Sequence, residues 1–139
     1  MLNRILLAAL LLFGAATPAF SQAAPAKKPA ISAATPAPDD RARQWLILVD
    51  DKNYPQSWSE AAKAFQNRQK ADAWATNATT TRAPLGAVAS RSLKSIDLSR
   101  GNTAVIRYDT VFAHKAAAVE TVTLGFENGG WSVIDYSVN

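Results

Sequence analysis

Apolar and polar residues alternate in three successive runs over the last third of the chain, Thr103 to Phe112, Val119 to Glu127 and Trp131 to Val138. Each run is rich in β-branched and aromatic residues and is bounded by turn-forming or small ones, so the period of two predicts three half-buried strands in an antiparallel meander. Asn128, Gly129 and Gly130 are read as a three-residue hairpin loop that pairs Glu127 with Trp131. That register sets Val122, Leu124 and Phe126 on one face with Ile134, Tyr136 and Val138, and leaves Thr121 and Thr123 with Val133 and Asp135. A two-residue Asn-Gly turn would mix the faces, because a slip of one residue carries a whole strand's side chains across the sheet. In the first run Ile106, Tyr108 and Phe112 continue the apolar face, and Arg107 and Asp109 point outward.

Upstream the period changes. Trp45, Leu48 and Val49 fall at helical spacing in Arg41 to Asp50, with Asp39 and Asp40 at the positive end of that helix. Asp51 to Pro55 reads as a break, and a second helix is expected to open at Ser57, where Ser57 and Glu60 have capping-box spacing ahead of Trp58, Ala61, Ala62 and Phe65. Ala71 to Thr80 predicts a third helix, carrying Trp74, Ala75 and Ala78 on one side. Arg82 to Gly86 is a turn, Val88 to Leu98 a first strand, and Ser99 to Asn102 the return to the meander. Two or three helices followed by a four-stranded antiparallel sheet define an α+β domain with its helices on one sheet face. Trp45, Trp58 and Trp74 are its packing anchors. Trp131 and Val133, on the less apolar face by the register above, form the candidate interaction face, through which the chain would meet a partner or a second copy in a homodimer.

Composition divides the 139 residues further. Arg4, the apolar run Ile5 to Ala16 and the small residues around Ala19-Phe20-Ser21 read as a signal peptide over 1–21, too short for a membrane span, which takes roughly 20 apolar residues. The competing reading is an uncleaved membrane anchor; with the leader removed, no transmembrane segment is left. Residues 22–38 are Ala and Pro with Lys27 and Lys28, a composition that buries too little to fold, and read as a disordered linker; 39–139 form the domain. The expected location is therefore outside the cytoplasm, in a periplasm or the medium. Beyond residue 38 there are 12 basic against 11 acidic residues, so the high isoelectric point belongs mostly to the leader and linker, and the domain has no nucleic-acid footprint. The chain has no cysteine, which excludes lipobox anchoring, disulfides and thiol chemistry.

Within the domain no catalytic constellation emerges. His114 is the only histidine and falls in a turn between Phe112 and Ala117; no acid cluster has metal-loop spacing, and Gly129-Gly130 precedes a strand rather than a helix, so neither a metal site nor a phosphate loop is expected and no cofactor is implied. One residue violates its surroundings. Glu120 shares parity with Val122, Leu124 and Phe126, so it should face inward, where a carboxylate must be paired or protonated. Arg82 and Arg91 are its candidate partners. The pairing clamps the segment before the sheet onto the sheet, or else Arg82, Arg91, Tyr108 and Glu120 line a small ligand pocket.

The ordered series Trp45 to Asp50, Tyr54, Ser57-Trp58, Trp74, Arg82 to Gly86, Ser90-Arg91, Asp109-Thr110, Phe112, Glu120 to Val122, Trp131 and Tyr136 resembles the exported bacterial family called domain of unknown function 4019. The resemblance spans Arg41 to Tyr136 and implies an exported bacterial protein with a small α+β domain; it carries no activity. Its members often have a longer loop before the second strand than Ser99 to Asn102 here. The order of helices and sheet is also loosely similar to cone-shaped NTF2/cystatin-like domains, which often form pockets. Two functions follow as expectations: a noncatalytic binding or interaction module for a small ligand or protein, and, as the alternative, a pocket-type enzyme using Glu120 or Asp109 as general base.

Overall fold

The computed structural model describes residues 34–139; the predicted signal peptide and most of the predicted linker lie outside the described residues. Helix α1 (Pro38–Asp50) is followed by α2 (Tyr54–Glu60), α3 (Lys63–Arg68), α4 (Ala71–Arg82) and a 3-10 turn at Ala83–Leu85. Four strands follow, β1 (Val88–Asp97), β2 (Thr103–Phe112), β3 (Lys115–Glu127) and β4 (Gly130–Val138), paired antiparallel in sequence order. The α+β meander expected from the sequence is thus the observed fold.

The helices differ from expectation in the middle. Pro55 does not break the chain; it sits in the first turn of α2, where its missing N–H would have had no helical partner. Ser57 is no cap. It is buried inside α2, its hydroxyl donating to the Tyr54 carbonyl and accepting from the indole of Trp74, while its carbonyl takes the indole of Trp45, each at 2.8 Å. The single helix expected through Phe65 is two, because Ala61 and Ala62 are extended and the Ala62 N–H bonds the Val133 carbonyl of β4 at 2.9 Å. The Gln66 side chain then satisfies the carbonyls of Trp58, Ser59 and Ala61 at that interruption. The three helical tryptophans pack as anchors: Trp45 stacks near Trp74 and Tyr136, with ring centroids 5.6 and 5.5 Å away, and Trp58 borders the same core.

The last hairpin corrects the parity argument. Glu127 pairs with Gly130 and Phe126 with Trp131, closing a two-residue loop in which Asn128 (φ 53°) and Gly129 (φ 79°) both occupy the left-handed region. This turn avoids mixing the faces because β4 bulges at Ile134: Leu124 pairs with Val133, but Thr123 pairs with Asp135. Trp131 and Val133 therefore join the helix-facing side along with Tyr136. Val133 is fully buried and Trp131 packs against the core and Phe126, so neither forms an outer interaction face. The Arg68 guanidinium donates to the Ile134 carbonyl at the bulge. At the other end β3 begins at Lys115, and His114 lies in a tight two-residue connection with Ala113.

Among the described residues, no helix is long and apolar enough to cross a membrane.

Candidate functional site

The inward face of the sheet is apolar along most of its length, and its polar residues collect at one end. Arg91 stands on β1 directly opposite Thr110 on β2, Glu120 follows on β3, and Tyr136 comes from β4. Two helix ends close over them, since Asp50 is the last residue of α1 and Arg82 the last of α4. Six side chains from six elements thus meet, three of them, Arg82, Arg91 and Glu120, among the four that sequence reasoning placed together.

Glu120 is 0% exposed, and every direction around its carboxylate is used. Oε1 accepts from Tyr136 Oη at 2.7 Å and Arg82 Nη1 at 3.2 Å; Oε2 accepts from Arg91 Nε at 2.6 Å and Thr110 Oγ1 at 2.7 Å. Asp50 takes the other prongs of both guanidiniums, with Arg91 gripping both of its oxygens at 2.8 and 3.0 Å and Arg82 at 2.5 Å. Two cations and two anions cancel, and no buried side-chain polar atom among the described residues is left without a partner. Arg82 also lies over the Phe112 ring, 5.0 Å from its centroid.

This arrangement fixes charge states. Burial pushes the Asp50 carboxyl up, but the hydrogen bonds from Arg91 and Arg82 outweigh it and hold the group below the ordinary carboxylate range. Burial pulls the Arg91 guanidinium down, and its bonds to Asp50 and Glu120 more than offset that, leaving it still more firmly protonated. For Tyr136, burial and the neighbouring Glu120 carboxylate both raise the phenol, which stays a donor. The cluster is a set of locked charges.

Tyr108 stands apart from it. Although it pairs with Glu120 across the β2–β3 ladder, its hydroxyl runs the other way and donates to the Asp39 carbonyl at the start of α1, 3.2 Å off. Burial pushes that phenol up to about 12. So Arg82, Arg91 and Glu120 come together as expected, whereas Tyr108 does not join them. Asp50, Thr110 and Tyr136 were missed. For Thr110 and Tyr136 the signal was present, since both share the inward parity of their strands; Asp50 carried no signal beyond its place at a helix end.

Outside the cluster a cleft of about 550 Å³ opens between the ends of α1 and α4 and the start of β1. Asp50 and Arg82 form one wall of it, Lys52, Tyr54 and Thr79 line it, and Val49, Ala83, Ala87 and Val88 supply apolar surface. Glu120 and Arg91 do not reach it. Gly86 shapes its edge: with φ at +76° and His114 packed so close that a Cβ would lie 2.8 Å from the imidazole, only glycine fits there without displacement. The pocket that forms thus shares only Arg82 with the one expected from Arg82, Arg91, Tyr108 and Glu120. Among the described residues no three histidine, aspartate or glutamate side chains are grouped to hold a metal ion.

No curated protein matches the chain. Among solved structures it is similar to the crystal structure of a protein described as a "Putative NTF2-like transpeptidase" from Campylobacter jejuni, with a TM-score of 0.50 and 18% identity over 70% of this chain and 97% of that one. At that identity the likeness establishes the fold, an NTF2-like arrangement of helices on an antiparallel sheet, and nothing about chemistry. A family model described as "Protein of unknown function (DUF4019)" matches residues 41–136, from the first turn of α1 to Tyr136 in β4, and the chain belongs to that family.

Proposed function

We propose that the chain is an exported, noncatalytic binding module that holds a small ligand in the cleft beside Asp50 and Arg82. The observation that carries this reading is a cleft of ligand size whose charged wall is already saturated. A general base needs a free lone pair within reach of substrate and a pKa near the working pH. Glu120 has neither access nor a free lone pair, and Asp109, the other carboxylate considered, sits exposed on the opposite face of the sheet, 2.8 Å from the Lys94 ammonium. What the cluster does supply is rigidity. Asp50 and Arg82 are held by partners from the sheet, so the wall of the cleft is set before anything binds.

Export rests on the leader-like residues 1–21, whose removal would leave the Ala/Pro stretch as an N-terminal extension of the domain in the periplasm. The test is native mass spectrometry of the protein purified from the envelope of its own host, compared with its denatured mass. A denatured mass lacking about the first 21 residues, with extra noncovalent mass in the native spectrum, is the expected result. A full-length, bare chain would overturn both parts.

A further inference from the structure

The cleft carries three charged side chains, and only two of them cancel. Asp50 and Arg82 are bound to each other, whereas Lys52 forms no ion pair among the described residues, so the lining has one uncompensated positive charge. Tyr54 adds a second unmet group. The residue is only 8% exposed, its ring packs on Trp74, and its hydroxyl has no hydrogen-bond partner among the described residues. Among the described residues no buried side-chain polar atom is left unsatisfied, so that hydroxyl reaches solvent, and Tyr54 is part of the cleft lining.

Lys52 is also held where lysine is unfavourable. The Asn53 N–H bonds the Leu48 carbonyl and the Lys52 N–H bonds the Val49 carbonyl, which is the Schellman closure of α1, and it puts Lys52 at φ 58° in the left-handed region that glycine occupies most readily. The helix ends there at some cost in stability, at a residue that lines the cleft.

We propose, resting on the binding-module reading above, that the ligand is a small amphiphilic monoanion: a carboxylate held by the Lys52 ammonium and the Tyr54 hydroxyl, on an aliphatic body lying against Ala83, Ala87 and Val88. A single uncompensated charge matches a carboxylate better than a phosphate dianion, and the alanine and valine wall offers an aliphatic body apolar contact but no hydrogen-bonding side chain.

Calorimetric titration of the host-processed protein with octanoate, octylammonium and octanol tests this. Octanoate is expected to bind at least tenfold more tightly than either of the others. Lys52→Gly, which suits the backbone and so keeps the fold, should weaken octanoate at least tenfold; Tyr54→Phe should weaken it several-fold; Ala83→Trp, which fills the cleft, should abolish it. Equal binding of the three probes, or octanoate binding unchanged in Lys52→Gly, overturns the assignment of ligand class. Failure of octanoate to bind overturns it too. In either case a native spectrum that still shows bound mass leaves the binding-module reading standing, and a bare native spectrum removes both.

Discussion

Arg91 Nε lies 2.6 Å from Glu120 Oε2, joining an edge strand to the most deeply buried carboxylate in the described domain, and the same guanidinium turns its other two nitrogens onto Asp50 at the end of the first helix. One arginine thus ties β1, β3 and α1 together. Removing a partner from such a set leaves charge buried and unpaired, a much larger effect than the loss of a surface ion pair.

Glu120→Gln keeps the shape of the side chain and removes its charge from between two arginines. Urea unfolding should show a loss of about 3–5 kcal/mol. Combined with Arg91→Gln, the two losses should fall short of additive by about 0.5–3 kcal/mol, since both act on one network. Additive losses would mean that the two residues stabilise the fold independently.

Acid should weaken the domain through Asp50. Its carboxyl is held below the ordinary range in the folded state, so the unfolded chain takes up the proton first as pH falls. The stabilisation is complete above the unfolded value of about 4 and is lost as pH drops through the lower folded value. Thermal unfolding from pH 6 to pH 2 should show this decline, and Asp50→Asn, less stable at pH 6, should show a shallower one.

At the alkaline end the sign is reversed for Tyr108. Its phenol is raised from 10.0 to about 12 by burial, so the unfolded chain ionises first as pH rises. Stability that is intact below pH 10 should fall between 10 and 12. Tyr136, raised in the same direction, adds to the fall, and Tyr108→Phe should reduce it without removing it.

Lys52→Gly should raise stability by about 0.5–1 kcal/mol in thermal unfolding, because glycine adopts the left-handed conformation at φ 58° without the steric penalty that lysine bears. Gly86→Ala should do the opposite. Its Cβ would collide with the His114 ring at 2.8 Å and the Ala113 Cβ at 3.0 Å, on a backbone at φ +76°, at a cost of about 1 kcal/mol or more. Adding His114→Ala should recover part of that loss.

Ser57→Ala removes the acceptor of the Trp74 indole in the core and should cost about 1–3 kcal/mol, the range for a buried donor left unmet. Trp74→Phe in the same chain takes away the stranded N–H, so the double variant should lose less than the sum of the two single changes.

The sheet was legible because its alternation is strict: in β2 the even positions from Ala104 to Phe112 are all buried, and the polar Thr110 among them is a member of the cluster. The inward Glu120 could be found by the same parity, and its two arginines by their place in the turn and the first strand just before the meander. What parity cannot show is a bulge. The single extra residue at Ile134 exchanged the faces of Val133 and Trp131, and only the three-dimensional pairing reveals it. Ser57 misled for a similar reason, since capping-box spacing is a local pattern and the hydroxyl was claimed instead by the indole of Trp74, 17 residues away. The cleft was out of reach of any local signal. It is assembled from the ends of α1 and α4 and the start of β1, and its lysine is marked only by a backbone conformation that the sequence does not state.

The most direct test of the central claim is native mass spectrometry of wild-type protein and the Ala83→Trp variant, each purified from the envelope of the host. The claim that the cleft holds a ligand predicts a noncovalent mass on the wild type that is lost on denaturation and absent from the variant. The same mass on both proteins would place binding elsewhere, and two bare proteins of equal stability would contradict the account.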